Sequence, residues 1–204
     1  MLRITSGSLK GRMIEAPTGS RTRPTQARLR QALFNSIQVQ IPESIVLDLF
    51  AGSGALGFES LSRGAQSVTF VDSSRSAVGV IAANAKGLRV ESQIAIHPWS
   101  VEVFLKKIPS LECRFDLVLA DPPYEDGWEL RLLNEVPWLS LLRPEGLFCL
   151  EWGVQKSSVQ DLPERVSGLL KVREKRYGDS VLTTYMRESA DESSSEKSDL
   201  SGLV

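Results

Sequence analysis

The segment from Ser44 to Gly57 restricts this chain more than any other. Ser44 to Phe50 is a short apolar, β-branched run that leads straight into Ala51-Gly52-Ser53-Gly54. A helix-like stretch, Ala55 to Ser62, follows and is closed by Arg63-Gly64. Strand, glycine turn and helix in that order open a parallel α/β sheet. Glycine permits positive φ and leaves space where a Cβ would meet a ligand. Twenty residues past Gly52, a second strand (Ser67 to Val71) ends at Asp72, with Ser73 beside it. A carboxylate there can accept hydrogen bonds from ribose hydroxyls. Gly54-Ala55-Leu56 stands where a P-loop needs Gly-Lys-Ser/Thr, which argues against ATP or GTP. Gly52, Gly54 and Gly57 do satisfy the dinucleotide spacing, so a nicotinamide enzyme is the rival reading of this segment alone.

The pattern continues as alternating strands and helices. A helix is predicted over Ser74–Lys86, a weak strand over Gln93–Ile96, and a helix over Val101–Lys107. A nearly all-apolar strand follows at Phe115–Ala120, then a helix over Trp128–Leu142 interrupted at Pro137, and a strand over Leu147–Glu151. Such alternation predicts a mostly parallel sheet with helices on both faces. Leu170–Tyr177 and Val181–Arg187, separated by Gly178-Asp179-Ser180, read as an antiparallel hairpin. Upstream, residues 1 to about 22 read as a strand or hairpin extension, and Thr25 to about Gln38 as a helix with Thr25 as its N-cap. The expected organisation is a basic extension over residues 1–40, a catalytic domain over 41–187, and an acidic, Ser-rich tail over 188–204. That tail has too little to bury and is expected to be disordered.

With 204 residues, 42% of them hydrophobic, one sizeable core is expected. No apolar run approaches the ~20 residues of a membrane span, and Met1 to Gly7 lacks a secretory core, so a cytoplasmic protein without membrane association is expected. Cys113 and Cys149 lack metal-ligand spacing and read as reduced core thiols, with no metal site. The net charge of -1 conceals an asymmetry: Met1 to Asn35 holds seven basic residues and one acid. Such a segment suits an anionic partner, and Lys10, Arg12, Arg23 and Arg28 are the candidate phosphate contacts.

Asp121-Pro122-Pro123-Tyr124, at the end of the Phe115–Ala120 strand, is the second motif. In an open parallel sheet it faces the glycine turn across the carboxyl ends of the strands. Two prolines stiffen the turn and remove two backbone donors. Asp121 and the Pro122 carbonyl can then accept both N–H bonds of a base amino group, while Tyr124 offers a stacking face. A base amino group is a poor nucleophile because its lone pair is delocalised into the ring. Two acceptors on its hydrogens stabilise the positive charge that develops as it attacks the methyl of a sulfonium. Hydride transfer has no use for such a clamp, which removes the nicotinamide reading. The clamp does not distinguish guanine from adenine. A DNA adenine-N6 methyltransferase and a non-catalytic RNA-binding protein on the same fold therefore stand as alternatives. The mechanism needs no imidazole, so His97 is read as structural. Trp99, Trp138 and Trp152 are read as packing, and Trp128 as a possible pocket wall.

The glycine turn and DPPY occur together with Thr22-Arg23-Pro24-Thr25 upstream, Leu61-Ser62-Arg63-Gly64-Ala65, and a closing Tyr177-Gly178-Asp179. In that combination the chain resembles the RsmD family, bacterial methyltransferases acting on guanine N2 of 16S ribosomal RNA. The resemblance spans about residues 2 to 187. It implies a seven-stranded Rossmann-like fold that binds S-adenosylmethionine over Asp48, Phe50, Ala51, Gly52, Ser53 and Gly54. Asp72 and Ser73 would lie at the ribose, and Asp121 to Tyr124 around the guanine. Arg23, Pro24 and Thr25 would lie near cofactor and RNA. Family members often carry an acid or amide near the adenine, where this chain reads Ile96-His97-Pro98-Trp99-Ser100, leaving Ser100 as the candidate contact. The implied partner is 16S rRNA in the small subunit or an assembly intermediate; a monomer is expected, since nothing in the sequence demands more.

Overall fold

The computed structural model describes residues 1–17, 24–107, 114–123, 127–154 and 160–189. Arg23, Cys113, Tyr124, the side chain of Thr25 and nearly all of the acidic tail lie outside the described residues. An eight-stranded sheet runs β5-β4-β3-β6-β7-β10-β9-β8. Its parallel part consists of β3 (Ile45–Leu49), β4 (Ser67–Val71), β5 (Ile94–His97), β6 (Phe115–Ala120) and β7 (Leu142–Gly153). Antiparallel β10 (Ser180–Arg187) and β9 (Leu169–Tyr177) follow, and the two-residue β8 (Arg165–Val166) makes the edge. The sheet thus has one more strand than the seven expected, and β8 is the short edge addition. From β3 the chain passes to β4 on one side and later returns to β6 on the other. The carboxyl end of β3 is therefore the switch point where an open sheet binds its ligand.

The period-two alternation of the strands sorts side chains into two cores. One face packs Val46, Phe70, Leu117, Leu119, Leu147, Cys149 and Leu182 beneath α1 (Pro24–Ser36), α2 (Ala55–Ser62) and α3 (Arg75–Leu88). The other packs Leu47, Val118, Phe148, Leu150 and Tyr185 against α4 (Val101–Lys107), α5 (Trp128–Glu135) and α6 (Trp138–Leu141). Pro137 separates α5 from α6, as expected of a residue that cannot donate to the preceding turn. Helix α1 begins at Pro24, so Thr25 lies inside it and is not its N-cap. Proline suits a first helical turn, where its missing N–H would be unbonded anyway. Strand β7 starts five residues before the expected Leu147. Arg143 to Gly146 bulges out between Leu142, opposite Phe115, and Leu147, opposite Leu117, with Glu145 at φ 62°. Among the described residues no helix is long and apolar enough to cross a membrane.

The amino-terminal extension is welded to this sheet. Its strands β1 (Leu2–Arg3) and β2 (Met13–Ile14) form a small antiparallel pair, and Ile4 and Ile14 join the α1-side core. The weld is a carboxylate: Glu59 in α2 is fully buried. It accepts the Thr5 N–H at 2.8 Å, the Thr5 hydroxyl at 2.6 Å and the Ser6 N–H at 3.1 Å. Arg63 Nε lies 2.9 Å and Arg30 Nε 3.7 Å from its oxygens. Arg30 Nη2 also donates to the Arg3 carbonyl at 2.9 Å. One turn along, the Ser8 N–H donates to the Ser62 carbonyl at 2.7 Å, and a Cβ on Gly7 would come within 1.7 Å of that oxygen. Breaking a buried ion pair leaves uncompensated charge and costs about 3–5 kcal/mol. Glu59→Ala is therefore expected to lower the free energy of unfolding by about that amount, and Glu59→Gln by less. Urea denaturation measures both, with the loss appearing as a fall in midpoint at unchanged slope.

Candidate active site

The glycine turn is shaped by two independent constraints. Gly54 adopts φ 77° at the start of α2, and a Cβ there would approach Phe58 at 2.6 Å. A Cβ on Gly57 would strike Phe70 at 2.2 Å, so this glycine serves helix-on-sheet packing. Gly52, at φ 56°, differs: an added Cβ would meet only the Phe50 carbonyl, at 3.9 Å, and would otherwise point into open space. Of the three glycines, Gly52 is the one with open space where a Cβ would stand, among the described residues. Phe50 itself takes φ 57°, turning the chain sharply out of β3. Its ring meets Trp128 edge-on at 4.8 Å between centroids, and the Arg131 guanidinium covers the same indole at 4.0 Å. Trp128 thus props the turn from the α5 side.

Two carboxylates hold the turn. Asp72 Oδ2 accepts the Gly52 N–H at 2.8 Å and Oδ1 the Ser74 N–H at 2.8 Å. Each oxygen retains a second lone pair, which suits paired ribose hydroxyls. Ser73, exposed, follows directly, and the Ala51 N–H bonds the Val71 carbonyl, so the ends of β3 and β4 are locked together. Asp48 lies behind the turn, fully buried, with Oδ2 on the Gly57 N–H at 2.9 Å. Burial pushes its pKa well above the usual carboxylate range, against the lowering effect of that bond, and the charges of Asp121 and Asp72 add to the rise. Ser53 contributes its carbonyl to the Asn84 amide at 3.1 Å. Ser100 caps α4, its hydroxyl receiving the Val103 N–H at 3.4 Å. His97 packs in a tilted cluster with Trp99 and Phe104, at 4.7 and 5.3 Å between ring centroids, and burial lowers its pKa, which fits packing.

Across the switch point, Asp121 ends β6 with Pro122 buried and Pro123 exposed. A cleft of about 80 Å³ joins Asp121 and Ala120 to Leu29 and Arg30 of α1, Leu56 of α2 and Glu151 of β7. The pairing of β6 with β7 aligns Ala120 with Leu150, so Asp121 and Glu151 continue adjacent strands on the same face. Burial raises the pKa of Asp121 to about 8, and the Glu151 charge contributes. Sequence reasoning passed over Glu151, which ended a predicted strand with nothing local to mark it. Of the basic candidates, Lys10 and Arg28 are exposed. Arg12 reaches the Gly87 carbonyl at the end of α3, at 2.7 Å, which ties the extension to that helix.

A glycine turn after β3, an acid at the end of β4 and an acidic exit from β6, all at the switch point of a mostly parallel sheet, belong to the fold of S-adenosylmethionine-dependent methyltransferases. A solved structure from Escherichia coli, described as a putative methyltransferase yhhF, aligns with a TM-score of 0.79 at 30% identity, over 92% of this chain and 98% of that one. The chain belongs to the RsmD family: the family described as Conserved hypothetical protein 95 matches residues 2–186. It is 34% identical to ribosomal RNA small subunit methyltransferase D of Haemophilus influenzae, over 84% of this chain and 92% of that protein. It is 32% identical to the putative rRNA methyltransferase YlbH of Bacillus subtilis, over 91% of this chain and 99% of that protein.

The two glycines predict opposite phenotypes. Gly52→Ala adds a methyl group to the open side of the turn. It is expected to weaken S-adenosylmethionine binding at least tenfold while changing stability by only about 1–2 kcal/mol, the cost of positive φ. Gly57→Ala overpacks against Phe70 and is expected to lose about 1–3 kcal/mol of stability. Calorimetric titration alongside thermal unfolding separates the two effects.

Proposed function

We propose that the protein transfers the methyl group of S-adenosylmethionine to the exocyclic N2 amino group of a guanine in 16S ribosomal RNA. The observation that carries this reading is the pair Asp121 and Glu151, neighbours on β6 and β7 that line one cleft beside the glycine turn. Guanine presents two adjacent donors on one edge, N1–H and the N2 amino group, and ionised carboxylates are pure acceptors. Adenine presents an acceptor at N1 beside its N6 amino group, which a second carboxylate would repel. The names of the relatives, which specify the small-subunit ribosomal RNA, support the substrate class.

The turn fits the cofactor on the structure's own terms: open space at Gly52, and an Asp72 carboxylate with unused lone pairs. When bound, the cofactor supplies an electrophilic methyl carried on a sulfonium. Asp121 and the Pro122 carbonyl hold the N2 hydrogens, which orients the nitrogen lone pair toward the turn and stabilises charge developing on N2. Asp121, as a carboxylate, takes the proton that N2 loses once its new bond to carbon has formed. Glu151 holds N1–H and fixes the base in register. The target nucleotide is drawn out of the RNA to reach this cleft, as enzymes acting on a base require.

Tritium transfer from labelled S-adenosylmethionine to naked 16S rRNA, assembled small subunits and DNA tests the reading. Label recovered as N2-methylguanosine is expected. Recovery as N6-methyladenosine, or no transfer to any RNA, overturns it. Asp121→Ala is expected to lose about 10²–10³-fold in kcat. Because the working form of Asp121 is ionised and its pKa is raised to about 8, kcat/KM is expected to climb with pH up to that region. Glu151→Gln removes a like charge, so the climb moves to lower pH. A rate profile unchanged by that substitution would show that Glu151 does not act on Asp121.

A further inference from the structure

A second cavity lies beside the first. It encloses about 350 Å³ between α1, through Asn35 and Ser36, and the β9–β10 hairpin, through Arg173, Lys175 and Tyr177; Leu182 is its common wall with the cleft of Asp121. Charge pattern along the chain marks basic candidates only in the amino-terminal segment and leaves the hairpin as framework.

The charges on β9 are divided by a bulge. Simple alternation would place Lys171, Arg173 and Lys175 on one face. The register instead jumps from Thr184 opposite Arg173 to Tyr185 opposite Lys171, with Val172 as the extra residue. Lys171 is thereby turned to the other face, where Nζ lies 2.7 Å from Glu164 and 3.8 Å from Glu174. Arg173 and Lys175 stay with the cavity, both exposed, and among the described residues neither forms an ion pair with a carboxylate. The acid between them, Glu174, points away and accepts the Thr183 hydroxyl at 2.9 Å. Lys175 Nζ sits 5.4 Å from the centre of the half-buried Tyr177 ring, so cation and aromatic face are offered together. Asn35 and Ser36 add neutral hydrogen-bonding groups from the opposite wall.

We infer that this cavity is a binding subsite for the nucleotide adjacent to the target in single-stranded RNA, with its phosphate on Arg173 and Lys175 and its sugar or base against Tyr177. The inference rests on the RNA substrate proposed above. A base drawn into the Asp121 cleft stays joined to its neighbour through one phosphate, so the neighbour must lie where that cleft opens. Across Leu182 it meets two cations that form no ion pair among the described residues, and an aromatic ring, the combination that binds single strands without reading sequence.

The test uses the full chain with 16S rRNA or small subunits, whichever the wild type methylates. Arg173→Gln/Lys175→Gln is expected to raise KM for RNA at least tenfold while kcat stays within about twofold and S-adenosylmethionine titrates as in the wild type. The slope of log affinity for RNA against log salt is expected to fall by about 0.7 for each phosphate that is no longer neutralised. Tyr177→Ala is expected to weaken RNA binding without changing that slope, and Tyr177→Phe to retain it. RNA affinity and salt slope both unchanged in the double variant would overturn the subsite. A wild-type protein that methylates no RNA would instead remove the proposed function, so the two failures are distinct.

Discussion

The buried carboxylate of Glu59 joins three parts of the protein, the extension, α1 and α2, at one point. It sits in the helix that grows out of the glycine turn, and it ties down Thr5 and Ser6 of the extension while pairing with Arg63 and Arg30. Arg30 in turn lines the cleft of Asp121. Burial lowers the pKa of Arg30, and the charge of Glu59 opposes that fall. Buried ion pairs seldom add net stability over an apolar alternative, and their best-attested use is to specify one arrangement. Here the arrangement fixes α1, whose Leu29, Arg30 and Leu33 line the cleft of Asp121 and Glu151. The basic extension therefore belongs to the wall of the site.

The site is the core continued by one residue. Leu117 and Leu119 of β6, and Leu147 and Cys149 of β7, face α1 as buried neighbours. The next positions in the same alternation are Asp121 and Glu151. A period of two that builds a dry core necessarily aims these carboxylates into the space above it, with apolar groups beneath. Burial is then the first cause of the raised Asp121 pKa, and the neighbouring charge the second. The same dry surroundings push the Cys149 thiol up to about 12, which leaves it inert beneath the cleft.

What could be read from the sequence was what local pattern encodes. The strand, turn and helix at Ser44 to Ser62, the acid at Asp72 and the Asp121-Pro122-Pro123 exit all declare themselves within a few residues. Glu151, Glu59 and the Arg173/Lys175 pair do not. Glu151 matters only because β7 pairs with β6 in a particular register, and that register absorbs a bulge at Arg143 to Gly146, between the helix and the strand expected from sequence. Glu59 looks like an ordinary polar position of a short helix until the extension folds back over it. The hairpin cations separate from Lys171 only through the bulge opposite Thr184 and Tyr185. In each case the missing information was a pairing between distant segments, which no window along the chain contains.

Four carboxylates converge here, and Asp48 feels both Asp121 and Asp72 while Asp121 feels Glu151. Such a cluster opposes folding, a cost that functional sites commonly carry. In the function proposed above, the ligands relieve it in proportion to their own chemistry. A sulfonium brings positive charge to the glycine turn, and a guanine edge brings three N–H bonds to Asp121, the Pro122 carbonyl and Glu151. After methyl transfer the sulfur is neutral and the amino group has one hydrogen fewer, so both compensations shrink at once. The cluster has also lost a charge, because Asp121 then carries the N2 proton and no longer repels Glu151; the strain that raises its pKa in the free protein therefore favours that proton transfer.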